Sequence, residues 1–177
     1  MAALPDSPIV KIDGRYHLKD SIGVQFDADA YFANKGVNAT DEFAPGRTYG
    51  GEYNRQLDLR QDGLNDLTVG EWNQNLAEFN KPVADGGGRI GAPEQAQARL
   101  DAGGTTDDGT AILHGPDLVA GGRPDTFDGL GHSGTNGSIG SQWNHRVEVL
   151  SKQVDSATAA IGEDLLRFIH LNVRLLP

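Results

Sequence analysis

The chain reads as mainly α, a single domain with a long C-terminal helix and glycine-rich loops, and three observations predict this. Trp143, Val147, Leu150, Val154, Ala157, Ile161, Leu165 and Phe168 recur at steps of three or four, the apolar stripe of an amphipathic helix. Thr68-Val-Gly-Glu71, followed by Trp72, fits a capping box opening a second helix. Tyr53 and Leu57 put a third apolar face on residues 51–62, again at helical spacing. A chain of 177 residues, 37% hydrophobic and 23% charged, suits one domain with a true core.

Residues 1–50 show little periodicity, with short strands expected at Ile9–Ile12 and Ile22–Phe26. Asp27-Ala-Asp29 resembles the start of a calcium loop but lacks its glycine and closing glutamate, so it is read as a loop or a helix start. The helix over 51–62 should stop at Gly63, a C′ glycine tolerant of the left-handed conformation. The next helix should run over about 69–79, capped by Thr68, with Trp72, Leu76 and Phe79 inward and Pro82 ending it. Residues 83–140 hold most of the 24 glycines and predict turns around one short helix at 93–102. The C-terminal helix should extend over about 138–171, roughly 50 Å at 1.5 Å per residue, with Gly162 as its weak point.

The formal charge of −10 argues against a broadly basic surface of the kind that holds nucleic acid by counterion release. It leaves room for a nuclease that bridges its acids to phosphate through a metal, for a local basic cleft, and for docking to a basic partner. The absence of cysteine excludes disulfides, thiolate nucleophiles and zinc–thiolate sites. No stretch approaches the roughly 18 apolar residues of a membrane span, and the opening MAALPDSPIVKIDG lacks the charged and apolar regions of a signal peptide.

The leading motif is Leu113-His114-Gly115-Pro116-Asp117. A histidine can act as general base or metal ligand near neutral pH, and a carboxylate three residues on can bind Mg²⁺ or orient the ring. Spacing alone is weakly specific, since an acidic residue falls at any given position about one time in ten; the plain alternative is a surface histidine and a capping aspartate. A second candidate is Asn136-Gly-Ser138-Ile-Gly-Ser141-Gln142-Trp143, read as opening the long helix. Helix N-termini bind anions, so Ser138, Ser141 and Gln142, with Arg146 a turn further on, are candidate substrate contacts, or Ser138 or Ser141 is simply the cap. Gln56, Asn65 and Glu71 form a second tier, although capping accounts for Glu71. His132 is held in reserve, and Trp72 and Trp143 are read as core. Gly86-Gly-Gly-Arg-Ile-Gly91 matches a dinucleotide motif by letter but lacks the flanking strand and helix.

Three blocks resemble one family, the polymorphic toxin type 15 family. They are Arg55-Gln56-Leu57 with Gln61-Asp-Gly-Leu-Asn65-Asp-Leu-Thr-Val-Gly-Glu71-Trp72; Ala111-Ile-Leu-His114-Gly-Pro-Asp117-Leu-Val-Ala-Gly-Gly122; and Asn136-Gly-Ser-Ile-Gly-Ser-Gln-Trp143 with Arg146. Gly115 stands where the family commonly has asparagine. The resemblance implies a DNase toxin delivered between competing bacteria, notably by type VI secretion, and dependent on a divalent cation such as Mg²⁺. It implies His114 and Asp117 as the catalytic and metal-binding signature, DNA as substrate, and a cognate immunity protein. Such a toxin is made in the producer's cytoplasm and acts in the target's. Residues 51–177 would be the nuclease toxin domain; residues 1–50 would be a delivery arm for an adaptor or chaperone, or part of the domain. Two other readings stay open: an RNase or nucleotide hydrolase on the same scaffold, and a non-catalytic interaction module using the apolar stripe.

Overall fold

The computed structural model describes residues 7–81, 97, 100–101, 109–123 and 126–177. Of these, 52% are helical and 21% lie in strands, which corrects the mainly α expectation. The architecture is mixed: long helices flanked by four small sheets. Strands stand at Ile9–Ile12 and Ile22–Gln25, where the sequence suggests them; the others, two to four residues long, are too short to leave an alternating run.

The elements run β1 (Ile9–Ile12), β2 (Arg15–Leu18), β3 (Ile22–Gln25), α1 (Ala28–Lys35), β4 (Glu42–Ala44), β5 (Arg47–Thr48), α2 (Tyr49–Asp66) and α3 (Val69–Phe79). They continue with β6 (Thr110–Ile112), a 3-10 turn (Leu118–Ala120), β7 (Leu130–His132), α4 (Ser133–Thr158), a 3-10 turn (Glu163–Phe168), β8 (Ile169–His170) and β9 (Val173–Leu176). One sheet has the order β1-β2-β8, antiparallel then parallel. β3 pairs with β9 in parallel, and β4–β5 and β6–β7 are antiparallel pairs. Strands from the first 25 residues are thus completed by the last ten. Leu18, Val24, Phe26 and Phe32 share one core with Tyr53, Leu57 and Leu64 of α2, Trp72 of α3 and Ile139, Trp143 and Leu150 of α4.

α3 has the bounds and cap that the sequence predicts. Thr68 Oγ1 accepts from Glu71 N at 3.2 Å and the Glu71 carboxylate accepts from Thr68 N at 3.0 Å. α2 does not stop at Gly63; it continues to Asp66. Gly63 lies inside the helix because of a close approach. A Cβ there would overlap the carbonyl group of Gly115 and stand 2.8 Å from Pro116 N. The sequence cue for a helix stop was a packing requirement instead.

α4 is shorter and starts earlier than the 138–171 expected. It begins at Ser133, because His132 caps it: the Nδ1 atom accepts from Thr135 N at 3.2 Å. It ends at Thr158, and Gly162 precedes the 3-10 turn. The apolar stripe ran on past Gly162 in sequence, but Leu165 and Phe168 are more than half exposed in that turn, and the chain then enters β8. The short helix expected at 93–102 lies outside the described residues, apart from Gln97, Leu100 and Asp101, which are helical.

Candidate functional site

The β6–β7 pair presents the His114–Asp117 turn. The chain leaves β6 at Ile112 and returns along β7 from Leu130, and Leu113 closes the neck: its N–H donates to Gly129 O and its carbonyl accepts from Asp128 N, both at 2.9 Å. Between them lie the cis Gly115–Pro116 peptide and the 3-10 turn.

α2 and α3 hold this loop from beneath. The turn rests on Gly63, where α2 carries no side chain. Gly121, at φ +91°, sits so close to Trp72 that an added Cβ would be 2.5 Å from Cδ1. Trp72 Nε1 donates to Ala120 O and Asn75 Nδ2 to Gly121 O, both at 2.8 Å. Gly121 and the tryptophan some fifty residues earlier are thus two halves of one contact, while Gly122 admits the Pro116 carbonyl.

His114 is 92% buried, at 8% exposure. Its Nδ1 lies 2.6 Å from Thr126 O. A carbonyl oxygen can only accept, so Nδ1 carries a proton and the neutral ring keeps its lone pair on Nε2. That is the tautomer a general base or metal-ligating histidine needs. Phe127 packs against the ring at 5.4 Å.

Asp117 points to α2, where Arg60 is fully buried. Arg60 Nε donates to Asp117 Oδ2 at 2.6 Å and Nη2 to Oδ1 at 3.2 Å; Nη2 also donates to Asn136 Oδ1 at 2.6 Å and Nη1 to Gln56 O at 2.9 Å. A two-point arginine–carboxylate pair fixes angle as well as distance. Arg60 has no exposure and cannot touch substrate; it sets the position of Asp117. Asn136, in the first turn of α4, completes the clamp.

The remaining sequence candidates divide. Gln56 and His132 meet at Glu52: Gln56 Nε2 donates to Glu52 Oε1 at 2.8 Å and to His132 O at 3.2 Å. Asn65 binds both backbone groups of Val173 and so registers β9 against α2. Glu71 caps α3 and pairs with Arg123 at 3.2 Å, and the Thr68 backbone hydrogen bond is the main cause that lowers its pKa. Ser138, Ser141, Gln142 and Arg146 lie within α4, beyond its first turn. Ser141 Oγ donates to Ser138 O. Gln142 joins Asp27 N and Tyr53 Oη, while Arg146 donates to Gln25 O and stacks 4.9 Å over Phe26. These contacts tie α4 to the β3–α1 turn. They are not at a helix N-terminus, and none of them joins the His114–Asp117 turn.

Sequence reasoning missed Arg60 and Asp128, and placed Asn136 at the head of the second block without a role of its own. The spacing Glu52, Gln56, Arg60 carries the clue: polar residues at steps of four on the face that also buries Tyr53, Leu57 and Leu64. Asp128 Oδ2 is buried with no hydrogen-bond partner among the described residues and lies 2.5 Å from where a Gly115 Cβ would stand. Gly115 and Asp128 border a cavity of about 320 Å³ whose wall includes Asp62, Glu71, Thr126 and Arg123. Buried polar atoms without partners are rare, and an orphaned carboxylate oxygen is what a cation or a proton satisfies. Among the described residues, no three His, Asp or Glu side chains gather into a metal cage. A divalent ion here would have to be one that keeps waters and phosphate oxygens as ligands, which is the habit of Mg²⁺.

The family model for Novel toxin 15 matches residues 86–175, half of the chain. The chain belongs to the Novel toxin 15 family. The match spans the His114–Asp117 turn and the Asn136–Arg146 block, whereas Arg60, Gly63 and Trp72 lie before it. No curated protein matches the chain. Membership makes this a polymorphic toxin domain, a class delivered into target cells and usually paired with cognate immunity proteins. Among the described residues, no helix is long and apolar enough to cross a membrane.

Proposed function

We propose that this Novel toxin 15 domain is a DNase that hydrolyses phosphodiester bonds in the DNA of competing bacterial cells. The observation that carries the reading is the Nδ1 hydrogen bond from His114 to Thr126 O, which leaves Nε2 free to take a proton. In the proposed step, a water oxygen attacks phosphorus and its proton passes to His114 Nε2. The bond to the leaving sugar oxygen breaks, and that oxygen takes a proton from solvent. Nε2 has one lone pair, so it cannot be base and metal ligand at once; we assign it the base.

Asp117 would then hold a divalent cation such as Mg²⁺, with Asp128 beside the same turn as a further carboxylate. Each Asp117 oxygen accepts one bond from Arg60 and keeps a second lone pair. When bound, the ion offsets phosphate charge and acidifies the attacking water. The carboxylates of Asp62, Glu71 and Asp128 around the cavity would otherwise repel a phosphodiester. Delivery by type VI secretion and a cognate immunity protein complete the proposal.

Induced expression inside a bacterium tests it. Growth arrest with loss of cellular DNA, abolished by His114→Ala, is expected. Arrest with intact DNA and degraded RNA, or tolerated expression, would refute the DNase reading.

A further inference from the structure

Glu52 is the centre of a second polar cluster. Its side chain is buried, yet Arg47 Nη2 lies 3.0 Å from Oε2, Arg55 Nε 2.9 Å from Oε2 and Arg55 Nη2 2.7 Å from Oε1. Two arginines on one carboxylate leave a cation in excess, and both arginines remain 40–48% exposed. Arg47 stacks 4.9 Å over Phe43, and Lys35 Nζ stands 5.4 Å over Tyr49. Phe43, Tyr49 and His132 pack together with ring centroids 4.9–5.5 Å apart. All three rings are part-exposed. Exposed Asp41 and Glu42 stand at the start of β4, and with Glu52 they balance the three cations in number. What distinguishes the patch on a chain of net charge −10 is that exposed Lys35 and Arg47 and part-exposed Arg55 gather beside open aromatic faces.

The cluster shares a helix with the site. Glu52 and Arg60 are eight residues apart on α2, about 12 Å along its axis, the span of about three to four nucleotides of one strand. Gln56 bridges the gap by donating to Glu52 and offering its carbonyl to Arg60.

We infer that Lys35, Arg47 and Arg55, with Phe43, Tyr49 and His132, form a docking site for the phosphate backbone of the nucleic acid cut at His114. Lys35 and Arg47 neutralise phosphates flanking the scissile bond, and the rings lie against the adjacent sugars beside those cations. The cavity bordered by Gly115, Pro116 and Asp128 meets α2 from Leu59 to Asp66, further along the helix that carries Glu52 and Arg55, so a strand cut at the turn would extend toward the cluster. The inference rests on the nuclease reading for the identity of the strand.

The test is fluorescence anisotropy of a labelled DNA duplex against salt, in a His114→Ala background that cannot consume it. Lys35→Gln/Arg47→Gln is compared with Arg47→Lys; Arg55 is kept so that Glu52 stays paired. The double variant should bind about tenfold or more weakly at low salt and lose about 0.9 of log–log salt slope per phosphate contact removed, while Arg47→Lys stays near the parent. In the active protein the double substitution should raise KM with kcat little changed. Parental affinity and slope in a double variant that melts like the parent would overturn the docking site. If wild type cleaves DNA in that case, the nuclease reading still stands. If wild type binds DNA through these residues but cleaves none, the docking site stands and the DNase reading fails.

Discussion

Gly63→Ala tests how the toxin loop is held. In the middle of a helix this change ordinarily stabilises, by up to about 1 kcal/mol, because glycine is the poorer helix former. Here the sign should reverse. The new methyl overlaps the Gly115 carbonyl and stands 2.8 Å from Pro116 N, where carbon contacts settle at about 3.5–4.0 Å. Both neighbours are backbone, so no side chain can swing aside. Either α2 bends or the His114–Asp117 turn retreats by on the order of 1 Å. Overpacking of this kind costs about 1–3 kcal/mol, which lowers the melting temperature by roughly 2–12 °C at this size. Under the nuclease function proposed for the His114–Asp117 turn, a shift of that size costs about a hundredfold in rate. Circular dichroism melts and plasmid-cleavage rates measure the two effects. A Gly63→Ala protein that melts higher than wild type and cleaves at the same rate would refute the claim that α2 is the floor of the site.

Other substitutions probe the same construction. Arg60→Met leaves the largely buried Asp117 carboxylate without its partner, a loss of about 3 kcal/mol and roughly 6–12 °C in melting temperature. Asp117→Asn in that background should recover part of it, and an Arg60→Met protein melting within about 2 °C of wild type would contradict the clamp. Glu52 predicts an acid limb. Burial alone would raise its pKa, but hydrogen bonds from Arg55, Gln56, His132 N and Arg47 together pull it from 4.5 to about 2. A carboxyl depressed in the folded state stabilises fully above about pH 4.5, and that contribution, about 3 kcal/mol, is lost as pH falls through 2. Glu52→Gln should be less stable at pH 7 and lack this slope in denaturant titrations between pH 4.5 and 2; an unchanged slope would show that other groups carry the acid transition.

What the sequence made legible was local. The capping box of Thr68 and Glu71 fixed α3 to the residue, since every atom it uses lies within four positions. The ordered blocks around His114 and Asn136 pointed to the toxin family without any knowledge of the fold. Distant contacts were not legible. Gly63 looks the same whether it ends a helix or admits a neighbouring backbone, and only Gly115, fifty-two residues away, decides. Nothing local marks Arg60 as buried, because its partners lie 57 and 76 residues downstream. The stripe through Ile161, Leu165 and Phe168 keeps a spacing of three to four that a 3-10 turn also satisfies. His132 displaced Ser138 as the start of α4 because its ring caps the helix, a role that side-chain preference assigns to serine or aspartate.

Cleavage of supercoiled plasmid by the purified protein, with Mg²⁺ and with EDTA, beside His114→Ala and Asp117→Ala, bears most directly on the central claim. The account predicts nicking and degradation by wild type with Mg²⁺, none in EDTA, and none by either variant while both keep a folded circular dichroism spectrum. Intact plasmid with folded wild type, or undiminished cleavage by His114→Ala, would contradict it.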